Sequence, residues 1–145
     1  MRSNALRFDN EGAAMLALTR ELVERRLATE RGDIVDLHRR NLAGLDLSGM
    51  ALAGVIFERA NMARANLAGA NLRGAVLERA NLAGANLRGA NLTQAVLANA
   101  RLEWACLSGA NLDRAFLIGA HLPNAYLRGA DMRDAVLRGA NLTGA

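Results

Sequence analysis

Ala60-Asn-Met-Ala-Arg64, Ala65-Asn-Leu-Ala-Gly69, Ala70-Asn-Leu-Arg-Gly74: this stretch decides the fold, and its five-residue period continues to Ala145 without losing register. If the central apolar residue of each repeat is called i, it falls at Leu37, Leu42, Leu47, Leu52, Phe57, Met62, Leu67 and every fifth residue to Leu142. Of these 22 positions 19 are Leu and the others Phe or Met, and position i−2 is Ala in all 17 repeats from Ala60 to Ala140. Composition alone favours helix, because Ala, Leu and Arg are good helix formers. The period forbids an amphipathic one: at about 100° per residue, five residues advance the leucine by about 140°, so the leucines spiral instead of lining a face. A flat strand fails as well, since an odd period sends alternate leucines to opposite sides.

What remains is a chain that turns once per repeat. A short extended side followed by a corner of about 90° returns after four repeats, a coil of 20 residues with every i and i−2 side chain inward. A second signal supports that coil length. Ile56, Val76, Val96, Phe116 and Val136 recur every 20 residues at i−1, and Gly49, Gly69, Gly89, Gly109 and Gly129 do so at i+2. A three-sided coil would show a recurrence of 15.

The run from Val35 to Ala145 resembles the pentapeptide-repeat family, whose pattern is A(D/N)LXX. The resemblance implies an all-β solenoid, a right-handed, quadrilateral parallel β-helix. About 5.5 coils are expected, roughly 25 Å tall at the strand spacing. Residues 34–145 then form the β-helix and 1–33 an amino-terminal helical extension. Within the latter, Met15, Leu18, Leu22, Val23 and Leu27 follow helical spacing. They predict a helix over about 11–31, capped by Asp9 or Asn10, with Arg20 and Glu24 one turn apart and Gly32 as the stop. It is expected to cap the first coil, whose open edge would otherwise expose leucines and unpaired backbone. Arg40 interrupts the inward Ala rule, and Leu45, Met50 and Val55 enlarge it, so the first coil is expected to be wider or adapted to pack against the helix.

Position i+2 suits a corner with positive φ where it is Gly. Arg59, Arg64, Arg79 and Arg114 at the same position predict a different turn at those corners. The Asn residues at i−1, among them Asn61, Asn81, Asn71, Asn91 and Asn111, are expected to form outward amide ladders between coils.

The chain carries 18 Arg, no Lys and 14 acidic residues, for a net charge of +4. The lone Cys106 excludes an internal disulfide and fits a reducing compartment. No apolar run reaches membrane-spanning length and no signal peptide is read, so a cytoplasmic location is expected. Nothing suggests an enzyme, a cofactor or a metal. His38 and His121 lie about four coils apart, Cys106 has no His in its own or the next coil on its face, and Asp131 and Asp134 flank Arg133 without the enclosure of an acid–base pair.

Two surface features point to binding. The i−1 column Ile56, Val76, Val96, Phe116 and Val136, with Ile118 beside it, predicts an apolar ridge for a protein partner. Trp104, Cys106 and Tyr126 form a second patch around a neighbouring corner, with Trp and Tyr as anchors. At the carboxyl end, the coil carrying Leu137 and Leu142 is expected to pair with a second copy in a homodimer. The expected function is a non-enzymatic interaction module or scaffold. The family resemblance adds an alternative, a DNA mimic that binds and protects a type II topoisomerase, which needs an acidic surface this chain lacks. Weak nucleic-acid binding through Arg73, Arg88, Arg128, Arg133 and Arg138 is a further alternative, opposed by interleaved acids and few aromatics.

Overall fold

The computed structural model describes residues 18–30 and 32–145. From Asp36 onward the chain is a four-sided β-helix. Eighteen parallel bridges pair residues 20 apart, from Asp36↔Ile56 to His121↔Asn141, so each residue stands over its equivalent four repeats earlier. Its four faces are identified by their outward i−1 residues: face A (Ile56, Val76, Val96, Phe116, Val136), face B (Asn61, Asn81, Arg101, His121, Asn141), face C (Asn66, Asn86, Cys106, Tyr126) and face D (Asn71, Asn91, Asn111, Asp131).

The core is the one the period requires. The leucines from Leu37 to Leu122, with Phe57 and Met62, are fully buried, and so are the i−2 alanines from Ala60 to Ala120. No polar or charged residue is buried with them among the described residues. Four backbone bonds per repeat hold this arrangement, one of them from the i+2 N–H to the next coil, as Gln94 N–H donates to Asp113 O at 2.9 Å. Leu92 N–H donates to the Asn91 equivalent one coil on, Asn111 O, at 2.7 Å; Asn91 N–H donates to Ala70 O one coil back, at 2.9 Å; and Ala95 N–H closes the corner onto Leu92 O, also at 2.9 Å.

The corners correct one expectation. Arg59, Arg64, Arg79 and Arg114 adopt φ of 55–57°, and the glycines at the same position lie at similar positive values, such as 65° for Gly69. All corners are therefore one turn. The closing bond onto i and the bond from the i+2 N–H to the next coil fix the backbone, and together they override the 1–2 kcal/mol or so that a left-handed conformation costs a residue with a Cβ. Trp104 is the extreme case, a bulky aromatic at φ 61°. Its cross-coil bond, to Pro123 O, is 3.2 Å, against 2.8–3.0 Å at the other corners. Trp104→Gly is expected to raise unfolding stability by about 1 kcal/mol, read by denaturant titration.

The amide ladders are only partly present. Asn61 donates to Asn41 and Asn81 to Asn61, both at 3.1 Å, and Asn66 and Asn86 continue the same pattern on face C. On face D no amide–amide bond joins Asn71, Asn91 and Asn111 among the described residues. There each Oδ1 accepts the backbone N–H two residues on, in Arg73, Thr93 and Asp113, as the Asn oxygens of faces B and C also do. This Asx turn coexists with the ladder elsewhere, since Asn61 Oδ1 accepts both the Ala63 N–H and the Asn81 amide.

Of the helix expected over about 11–31, the part before Leu18 lies outside the described residues. Helix α1 spans Arg20–Thr29, and Thr19, in extended conformation, caps it by accepting the Leu22 N–H. Asp9 and Asn10 lie outside the described residues. The expected Arg20–Glu24 pair forms at 2.7 Å, and Gly32 follows the helix at φ 92°. α1 packs on the first coil with Val23 fully buried. Its arginines meet the carbonyls that coil would have offered to a preceding one: Arg26 donates to Asp36 O at 3.1 Å, and Arg20 to Asp46 O and Ser48 O at 3.3 Å each. Guanidinium groups only donate, so they match an edge rich in acceptors. Arg40, at the interrupted inward position, is half-buried and keeps register, since Asn61 N–H donates to its carbonyl at 2.9 Å.

The Asp46 carboxyl is held below its ordinary 3.8 by hydrogen bonds from Ser48, with Arg20 and Asn66 adding to the effect. A depressed carboxyl stabilises the fold above pH 3.8 and loses that contribution as the pH falls through its lower folded value. The stability difference between wild type and Asp46→Asn is therefore expected to shrink toward zero below that range, as measured by denaturant titrations across acid pH.

Candidate interaction surfaces

The apolar column on face A stands as the 20-residue recurrence places it, each member bridged to the next from Ile56 to Val136. Its exposure is uneven. Ile56, Val76 and Val96 are half-buried, whereas Phe116 is 43% exposed, Val136 38% and neighbouring Ile118 37%. Beside Ile56 and Val76 run the ion pairs Glu58–Arg59 and Glu78–Arg79, at 3.7 and 3.8 Å. Further along, the same positions hold Ala98–Asn99 and Ile118–Gly119. The ridge is thus an apolar patch on the later coils that fades into an ion-paired strip on the earlier ones.

Trp104 and Tyr126 are the most exposed aromatics among the described residues, at 60% and 56%. Tyr126 bridges to Cys106 on face C, and Trp104 occupies the corner between faces B and C. Together with Ser108, Asn124 and Arg128 they line a shallow depression of about 390 Å³, whose outer rim is Gly144 and Ala145. Cys106 is half-buried, with its Sγ 3.7 Å from Ser108 Oγ. Leu137 and Leu142 are half-buried, unlike the leucines of the preceding coil such as Leu122.

Sorting the ionic residues by face reveals a pattern that the overall charge hides. Beyond Phe57 there are six acidic residues, and every one lies within 4.0 Å of an arginine: Glu58, Glu78, Glu103, Asp113, Asp131 and Asp134. They stand on faces A, B and D; face C has none. Asp131 and Arg133 form the tightest pair, at 2.7 Å, and the hydrogen bonds from Arg133 hold the Asp131 carboxyl below its usual range. His38 and Asp36 pair at 2.9 Å on the first coil, far from His121. No group of three or more His, Cys, Asp or Glu among the described residues could hold a metal ion, and no described helix is long and apolar enough to cross a membrane.

Comparison with known proteins agrees with this geometry. The crystal structure of the pentapeptide-repeat protein Rfr23 from the cyanobacterium Cyanothece 51142 is 30% identical, over 82% of this chain and 92% of that one, with a TM-score of 0.64. Alr5209, a pentapeptide-repeat protein from Nostoc Pcc 7120, is 31% identical over 84% and 93%, with a TM-score of 0.61. A search of the curated proteins finds no match. The profile described as "Pentapeptide repeats (8 copies)" matches residues 41–79, 75–114 and 110–145, and on that match the chain belongs to the pentapeptide-repeat family.

Proposed function

We propose that this chain is a non-enzymatic interaction module, a cytoplasmic scaffold that holds a protein partner against face A. The solenoid of about 5.5 coils supplies a rigid, flat-sided support. One observation carries the reading: Phe116, Ile118 and Val136 stand exposed together on a surface whose other faces present mostly Asn, Asp or Arg at the equivalent positions. Contiguous exposed apolar side chains mark contact surfaces. The decisive comparison is affinity purification with wild type and with Val96→Asp/Phe116→Asp. A partner retained by wild type and lost from the double variant supports the reading, and identical recoveries reject it.

The same scaffold is proposed to pair as a homodimer through the coil carrying Leu137 and Leu142, which would complete their burial. Light scattering at micromolar concentration should then give twice the chain mass, and Leu137→Asp should halve it. A DNA-mimic role is not favoured, because it needs a continuous negative face and the acidic residues beyond Phe57 are all neutralised by arginine.

A further inference from the structure

We infer that face C, with the Trp104 corner, is a second binding surface, and that it takes an acidic protein segment bearing an apolar side chain. The inference rests on the interaction-module reading but uses a different face. Three observations converge on it.

The first is charge. The side chains of Arg64, Arg88 and Arg128 make no hydrogen bond or ion pair among the described residues, in contrast to Arg59, Arg79, Arg101, Arg114 and Arg133. Arg88 and Arg128 lie on face C two coils apart, roughly 10 Å, and Arg64 stands at its corner in the column of Trp104. With no acidic residue on face C beyond the first coil, these guanidiniums form an uncompensated positive strip. The adjoining corner is glycine throughout, from Gly49 to Gly129, so no side chain walls the strip on that side.

The second is the aromatic pair. Trp104 and Tyr126 flank the depression of 390 Å³ and remain more than half exposed. Trp, Tyr and Arg are the residue types that dominate binding energy at protein interfaces. Here all three line one hollow large enough for a partner side chain.

The third is backbone strain. Trp104 holds φ 61° with the longest bond from an i+2 N–H to the next coil, 3.2 Å, at a position where glycine would fit without cost. Strained residues persist where the surroundings hold them and tend to gather at binding sites.

Between an acidic protein and a nucleic acid, face C is better suited to the protein. Three guanidiniums release few counterions, whereas salt-sensitive nucleic-acid binding draws on many phosphate contacts. Two aromatics offer at most two stacking platforms.

Trp104 is the only tryptophan in the chain, so its own fluorescence reads the site directly. The probe is a synthetic peptide of about 12 residues alternating glutamate and leucine, titrated into the full chain at low salt. Its lysine-for-glutamate counterpart and an oligothymidylate of similar length serve as the other arms. The glutamate peptide is expected to shift or quench the Trp104 emission. Arg88→Glu/Arg128→Glu should weaken it by about tenfold or more, while Arg73→Glu/Arg138→Glu, with the same change in net charge on other faces, should alter it by less than about twofold. All four arginines are exposed, so circular dichroism is expected to be unchanged. The inference is overturned by a silent Trp104, by equal weakening in both double variants, or by tighter binding of the oligothymidylate than of the peptide. Val96→Asp/Phe116→Asp should bind the glutamate peptide as wild type does, which separates failure on face C from failure on face A.

Discussion

Ala90→Leu is expected to destabilise the protein by about 3 kcal/mol or more, lowering the thermal midpoint by roughly 10 °C. Ala90 is fully buried in the central part of the stack, with the equivalent alanines Ala70 and Ala110 one coil to either side, also buried. Three added carbons would have to enter an interior only a few side chains across, already filled by Leu87 and Leu92 and the coils beside them. A packed globular core can shift a helix to make room. This backbone cannot move outward at one coil without breaking the 2.7–2.9 Å bonds that tie it to both neighbours. Circular dichroism melts of the two proteins side by side decide the matter, and coincident curves would show that the interior is not close-packed.

Leu92→Ala is the complementary change and is expected to cost about 2–5 kcal/mol. Leu92 stands between Leu72 and Leu112, all fully buried, so its removal leaves a gap lined by leucine that the rigid walls cannot collapse into. The same substitution at Leu142, half-buried in the last described coil, should cost less than half as much, because a side chain already partly in water gives up less on truncation. Equal losses at both sites by denaturant titration would contradict the packing described above.

The leucine column and the four-sided coil were legible in the sequence because side-chain period and coil closure are the same number read twice, at five and at twenty. The corners were legible only at Gly69 and its like. At Arg59 and Trp104 residue type points away from positive φ, and only the hydrogen bonds to adjacent coils reveal that the turn is unchanged. Among the described residues helix α1 begins at Arg20, a start marked by the Thr19 cap and not by the apolar spacing of Leu18, Leu22 and Val23. The apolar column was visible, but not its uneven exposure, greatest at Phe116, Ile118 and Val136. The acid-free face could have been found by sorting charges on a period of 20. Counting interleaved acids along the chain instead mixes four surfaces into one average.

The strict registry between stacked repeats also makes the molecule a dial. Removing 20 consecutive residues would shorten it by one full layer and leave Trp104 and Phe116 pointing as they do now. Removing five would preserve every inward leucine yet swing everything beyond the cut by a quarter turn, carrying the aromatic corner onto the side now occupied by His121 and Ile118. Length and orientation are thus separately adjustable in this architecture, one in steps of a layer and the other in steps of a side, with the interior indifferent to both.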